Sequence, residues 1–83
     1  MKVYNQNEFD SLSNKDKIVL SSICGKFLDN RIEDQYRIKL YQMNGYYIEL
    51  WRCKKEDEIL HVRTFIDDKN LDPYLDKIEL PNP

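Results

Sequence analysis

Few side chains in this sequence have the chemical types that catalysis needs. The chain contains one histidine, His61, and two cysteines, Cys24 and Cys53. A general base or an activated thiol requires a partner within hydrogen-bond distance, and the sequence places no His or Asn near Cys53. A lone histidine on a strand is more often a surface or interface residue than a base. We therefore expect no catalytic residue and no enzymatic activity.

Metal and phosphate sites lack their usual patterns as well. Acidic residues gather at 56–58 and 67–72, but without the Asp-x-Asp-x-Asp-Gly spacing that surrounds calcium. Two glycines in the whole chain cannot form a glycine-rich phosphate loop. We expect Cys24 to be an inert hydrophobe on a helix and Cys53, beside Lys54, to have a somewhat activated thiol. No metal, cofactor or small-molecule ligand is expected.

The composition describes an ordinary small globular domain. The 83 residues, 41% hydrophobic and 34% charged, suffice for one domain spanning 1–83. No apolar run approaches the roughly 18 residues of a membrane span, and no export signal opens the chain. We therefore expect a cytoplasmic protein without a disulfide. Because so short a chain buries little surface, dimerisation is a natural way to add burial.

The N-terminal part, residues 1–34, has helical periodicity. A short helix is predicted near 6–12 and a longer one near 14–31, with Ser13 as its N-cap. Apolar residues recur at helical spacing along one face of the longer helix, namely Leu20, Ile23, Cys24, Phe27 and Leu28. Gly25 interrupts this pattern, and close packing is the only reason we find for it.

Residues 35–66 alternate with the period of strands and predict a three-stranded antiparallel meander. Asn44-Gly45 marks the first hairpin. A three-residue loop, Met43-Asn44-Gly45, would pair Leu40 with Ile48 and keep the aliphatic residues on one face. Residues 54–58 form the second turn and 59–66 the third strand, in which Leu60, Val62 and Ile66 continue the core. A short C-terminal helix follows Asp72-Pro73, with Leu71, Leu75 and Ile78 as its apolar stripe and Pro81 as its end.

This register would gather large aromatic and basic residues on the outer face of the sheet. Tyr, Trp and Arg dominate binding hot spots. The predicted partner-binding residues are Arg37, Tyr41, Tyr47, Trp51, His61, Arg63 and Phe65. Three occupants of this face are possible: the C-terminal helix, a second copy of the chain, or single-stranded nucleic acid. The acidic tail argues against nucleic acid, because it removes part of the electrostatic attraction to phosphate.

The outline also resembles a known layout. A helical N-terminal half followed by an antiparallel meander, with Tyr36-Arg37-Ile38 before the hairpin, resembles the bacterial RelE/ParE toxins over roughly 60 residues. The resemblance implies a ribonuclease-type toxin, a class that is generally basic, whereas this chain carries a net charge of −2. We expect an α+β, non-catalytic protein–protein interaction module that self-associates through the aromatic outer face of its sheet. The alternative is a diverged RelE/ParE-toxin-like or single-stranded nucleic-acid-binding protein that uses the same face.

Overall fold

A computed structural model of the chain describes residues 4–55, 58–66, 71, 73 and 74. It confirms an α+β fold in which helices near the N-terminus precede an antiparallel sheet. The described sheet has four strands in the order β1-β2-β3-β4, one more than predicted. The elements are α1 (Gln6–Asp10), α2 (Asn14–Cys24), β1 (Lys26–Glu33), β2 (Tyr36–Met43), β3 (Tyr46–Cys53) and β4 (Ile59–Phe65).

Both helices begin at side chains that cap them. The Asn5 side chain accepts a hydrogen bond from the Glu8 backbone N–H, and Glu8 accepts one from Asn5, which is a complete capping box. Ser13 Oγ accepts from the Asp16 N–H at 3.2 Å, so the predicted start of the longer helix is confirmed. These caps satisfy N–H groups that have no partner inside a helix.

The predicted continuation of the longer helix to residue 31 is wrong, because α2 ends at Cys24. A Cβ at Gly25 would lie 2.6 Å from the Ser21 carbonyl oxygen and 3.3 Å from Tyr41 Cβ. Glycine is therefore needed where the chain leaves the helix and passes over the sheet. Ile23, predicted to be in the core, is 70% exposed, and Cys24 is exposed as well.

The residues after Gly25 form β1, which the helical periodicity concealed. Phe27 contacts Tyr41 edge-on at 5.6 Å on one face of the sheet. Leu28 packs beside Leu40 on the other face, next to a bulge between Phe27 and Asp29. Phe27 and Leu28 are neighbours in the chain and lie on opposite faces of the sheet, as expected in a strand that is buried on both sides. The same two residues also match helical spacing, so periodicity alone did not reveal the strand.

The predicted three-residue loop of the next hairpin is also wrong. Met43 pairs with Tyr46, so the loop is Asn44-Gly45 alone, with φ values of 30° and 86°. Positive φ at both loop residues is the geometry that matches the twist of a two-residue hairpin. The pairing shifts accordingly: Leu40 lies opposite Glu49 and Ile38 opposite Trp51. Ile38 and Glu49 therefore point to the same side of the sheet, contrary to the predicted separation of aliphatic and polar residues.

The sheet consequently has two buried faces. We call the side that packs on α1 and α2 the helix face; its core consists of Phe9, Tyr41, Met43, Tyr46, Ile48, Leu50 and Val62. We call the opposite side the tail face, because residues after β4 cover it; its core consists of Leu40, Phe65, Leu71 and Tyr74. Helices on one side and tail residues on the other account for the aliphatic residues found on both faces.

The region after β4 is described only in part. Leu71, Pro73 and Tyr74 have 3₁₀-helical backbone, and the rest of the predicted C-terminal helix, including Leu75 and Ile78, lies outside the described residues. Ile66, predicted to extend the core, is 63% exposed. No helix in the described part of the chain has the length and apolar character needed to cross a bilayer.

Candidate interaction surfaces

A buried carboxylate, Glu49, organises the tail face. Its Oε2 accepts a hydrogen bond from the Tyr74 hydroxyl at 2.7 Å and an ion-paired contact from Arg31 at 3.4 Å. Its Oε1 accepts from Trp51 Nε1 at 3.2 Å and from Arg63 at 3.3 Å. Both oxygens are occupied, which offsets the cost of burying the charge. We call these five residues the Glu49 cluster.

The electrostatics of the cluster favour a charged Arg31 and a neutral Tyr74. Burial alone lowers the pKa of Arg31, but its bonds to Glu33 and Tyr74 and the charge of Glu49 outweigh burial and raise it. Burial raises the pKa of Tyr74, and its bond to Glu49 raises it further. The Arg31 guanidinium also lies 5.4 Å from the Trp51 ring centre and 5.2 Å from that of Tyr74.

Tail residues cover part of the aromatic side of the sheet. Leu71 and Tyr74 are fully buried against Leu40 and Phe65, and Tyr47 stacks on Phe65 at 5.4 Å. At Leu71 and Tyr74 the structure agrees with the expectation that the segment after β4 covers the sheet. Here the aromatic rings contact their own chain.

The predicted partner-binding residues divide between the two faces. Arg37 and Tyr41 lie on the helix face, and the others lie on the tail face: Tyr47, Trp51, His61, Arg63 and Phe65. Tyr41 and Phe65 are buried, whereas Arg37 and His61 are exposed. The premise that gathered them on one surface is wrong, because it depended on the three-residue loop. Their role in binding stays a prediction.

The residues considered for chemistry are dispersed. His61 lies opposite Trp51, and Cys53 lies opposite Tyr36 at the end of β3. Neither cysteine forms a disulfide, and Cys24 is exposed rather than packed as a hydrophobe. Among the residues that the structure describes, no group of three or more His, Cys, Asp and Glu is placed to hold a metal ion.

The helix face carries a basic depression beyond the part packed on the helices. Arg37 and Lys39 are exposed on β2, and Arg52 lies directly opposite Arg37 on β3. Two adjoining cavities of about 160 and 330 Å³ share Arg37 and Lys39 in their walls. Leu50 and Ile32 supply apolar surface to them. We call this depression the basic basin.

The outer edge of β1 is the third surface. β1 is the first strand of the described sheet order, so its eight residues have a hydrogen-bonded neighbour on one side, β2. Phe27 and Ile32, both on the helix face of β1, are 49% and 63% exposed. An edge strand with exposed apolar side chains is a template for pairing with another strand.

Sequence reasoning missed two members of the Glu49 cluster. Arg31 was assigned to a helix, and Tyr74 was passed over although it continues the spacing that begins at Leu71. The available signal was Glu49 itself, which sits between apolar residues in a strand that also contributes a tryptophan. A carboxylate in such a run is buried when arginine and aromatic donors surround it.

No family model, curated protein or solved structure matches this chain. The resemblance to the RelE/ParE layout accordingly stays one of outline. The surfaces described above are therefore the basis for proposing a function.

Proposed function

We propose that the protein is a non-catalytic interaction module that self-associates in the cytoplasm through the outer edge of β1. The observation that carries the proposal is this eight-residue edge strand with two exposed apolar side chains, Phe27 and Ile32. A non-catalytic role is supported by Glu49, whose two oxygens are both engaged inside the protein.

The sequence of β1 is complementary to itself when two copies run antiparallel. Lys26 and Glu33 stand at its two ends on the tail face, and Phe27 and Ile32 stand inside them on the helix face. A two-fold axis at Asn30, with the bulge of each strand taking up one residue, places Lys26 of one protomer opposite Glu33 of its partner. The same axis places Phe27 opposite Ile32, and each contact occurs twice.

Apolar burial gives this pairing its main driving force. Roughly half of Phe27 is exposed, which corresponds to about 100 Å² and about 2.5 kcal/mol when it is buried. Ile32 contributes a similar amount. An edge about 27 Å long also supplies backbone hydrogen bonds between the two copies. The bulge after Phe27 twists the strand and limits pairing to a few residues at each end.

Charge reversal tests the proposed pairing. Lys26→Glu and Glu33→Lys each place like charges opposite each other twice in a homodimer, and we expect each variant to dissociate about tenfold more readily. Mixing the two variants restores both pairs in the heterodimer, and dimer mass returns. Lys15→Glu, an exposed charge reversal on α2, is the matched control and leaves the dimer unchanged.

Sedimentation equilibrium provides the readout, because a dimer has twice the 10.1 kDa mass of the chain. A wild-type protein that stays at monomer mass up to millimolar concentration would eliminate the proposal. A dimer that withstands both β1 variants but dissociates on His61→Glu, an exposed position on the tail face, would assign the contact to the tail face instead.

A further inference from the structure

The basic basin combines features of an anion-binding site. Arg37 and Lys39 stand two residues apart on β2, so they point to the same side of the sheet about 7 Å apart. Arg52 on β3 lines the smaller of the two cavities with them. The described residues that line the two cavities include no carboxylate.

Two of the basic residues face each other across neighbouring strands. Arg37 and Arg52 are directly opposite across β2 and β3, an arrangement of like charges that destabilises a sheet. The nearest acidic residue along β3, Glu49, points to the other face and already binds Arg31 and Arg63. Arg37 and Lys39, both exposed on the same side of β2, supply the positive charge that an anion would meet in the basin.

We propose that the basic basin binds phosphate groups, either as free phosphate or along a single strand of nucleic acid, with Arg37 and Lys39 as the contacting residues. The planar fork of an arginine matches two phosphate oxygens at once, and the lysine adds a point charge. No aromatic ring is among the described residues that line the basin, so the contact is made to phosphate and not by base stacking.

This inference goes beyond self-association and does not depend on it. The proposed phosphate contacts, Arg37 and Lys39, lie on β2, whereas the proposed dimer contact lies along the outer edge of β1, and Ile32 borders both surfaces. Substitutions at Arg37 and Lys39 are therefore expected to leave dimer mass unchanged, and Lys26→Glu is expected to leave phosphate binding in place. Either proposal can fail without the other.

The test measures fluorescence anisotropy of a labelled 12-residue oligothymidylate titrated with the full chain at several salt concentrations. Contact with two or three phosphates predicts that affinity falls about sevenfold to twentyfold between 50 and 200 mM salt. Arg37→Gln with Lys39→Gln is expected to weaken binding at least tenfold. Lys15→Gln with Lys17→Gln removes the same charge from α2 and is expected to change affinity by less than twofold.

Two further arms separate the sources of the anion. Inorganic phosphate, at matched ionic strength, is titrated while the amide resonances of β2 are followed by NMR. Movement of Arg37 and Lys39 amides with inorganic phosphate alone supports a free phosphate ligand, and tighter binding of the oligonucleotide supports a strand. Equal affinity for polyglutamate, equal losses in the two double variants, or no binding of either phosphate probe at 25 mM salt would overturn the inference.

Discussion

Replacing Glu49 with glutamine tests whether the Glu49 cluster holds the tail face together. Glu49→Gln keeps the size of the side chain and removes its charge, while Arg31 and Arg63 stay charged. The matched control is Glu33→Gln, because Glu33 also binds Arg31. The side chain of Glu33 is 50% exposed and that of Glu49 only 1% exposed. The two variants therefore differ in the burial of the replaced carboxylate but share the partner Arg31.

The expected magnitudes differ clearly. Breaking a buried ion pair costs about 3–5 kcal/mol, because it leaves the remaining charge without compensation. Arg63 is 37% exposed and is partly solvated, and glutamine keeps one acceptor. We therefore expect Glu49→Gln to lower the free energy of unfolding by about 2–3 kcal/mol. Glu33→Gln is expected to cost at most about 1 kcal/mol, as is usual for exposed pairs.

Urea unfolding followed by tryptophan fluorescence measures both variants, because Trp51 is the one tryptophan of the chain and belongs to the cluster. With a dependence near 1 kcal/mol per molar urea, the midpoint of Glu49→Gln falls by about 2–3 M. Total stability for a chain this size is about 3–5 kcal/mol, so this variant retains little. Equal midpoints for the two variants would refute the reasoning, since burial would then make no difference.

Two further outcomes follow from individual residues. Burial and the charges of Asp10 and Glu8 raise the pKa of Tyr46, and burial and the bond to Glu49 raise the pKa of Tyr74. The folded state therefore binds these two protons more tightly than the unfolded chain does. The stability that these two hydroxyl groups contribute is therefore fully present below about pH 10 and decreases at higher pH. Tyr74→Phe removes one of the two groups, so it should flatten the decline in urea midpoints between about pH 9 and 11. Gly25→Ala should lower the melting temperature more than Gly45→Ala does, because a Cβ at position 25 collides with the Ser21 backbone. A Cβ at Gly45 has no described atom within 4 Å, so Gly45→Ala should cost only about 1–2 kcal/mol, from the left-handed backbone conformation. Similar losses in the two variants would contradict this account.

Local signals in the sequence predicted the fold class and several boundaries. Ser13 capped the predicted helix, and alternation located the strands that became β2, β3 and β4. β1 was missed because Ile23, Phe27 and Leu28 have the spacing of a helical stripe. The helix ends before Gly25 for a steric reason. That reason is an approach of 2.6 Å to the Ser21 carbonyl, which appears only once the chain is folded.

The hairpin loop was mispredicted for a different physical reason. The rule applied was that aliphatic residues share one face and charged residues point to water. Glu49 violates it, because Arg31, Arg63, Trp51 and Tyr74 supply hydrogen bonds that water would otherwise provide. Two of these donors come from segments that the pattern assigned to helices. The local preference of Asn44-Gly45 for a two-residue turn was the better guide.

The same turn determines the charge of both faces. A three-residue loop would have placed Glu49 opposite Lys39, on the same side of the sheet as Arg37 and Lys39. The two-residue turn instead places Leu50 opposite Lys39 and sends Glu49 to the tail face, where it pairs with Arg31 and Arg63. A shift of one residue in the register thus determines that Glu49 lies on the tail face, while Arg37 and Lys39 of the basic basin remain exposed. The basin is positive because the buried carboxylate lies on the opposite side of the strand.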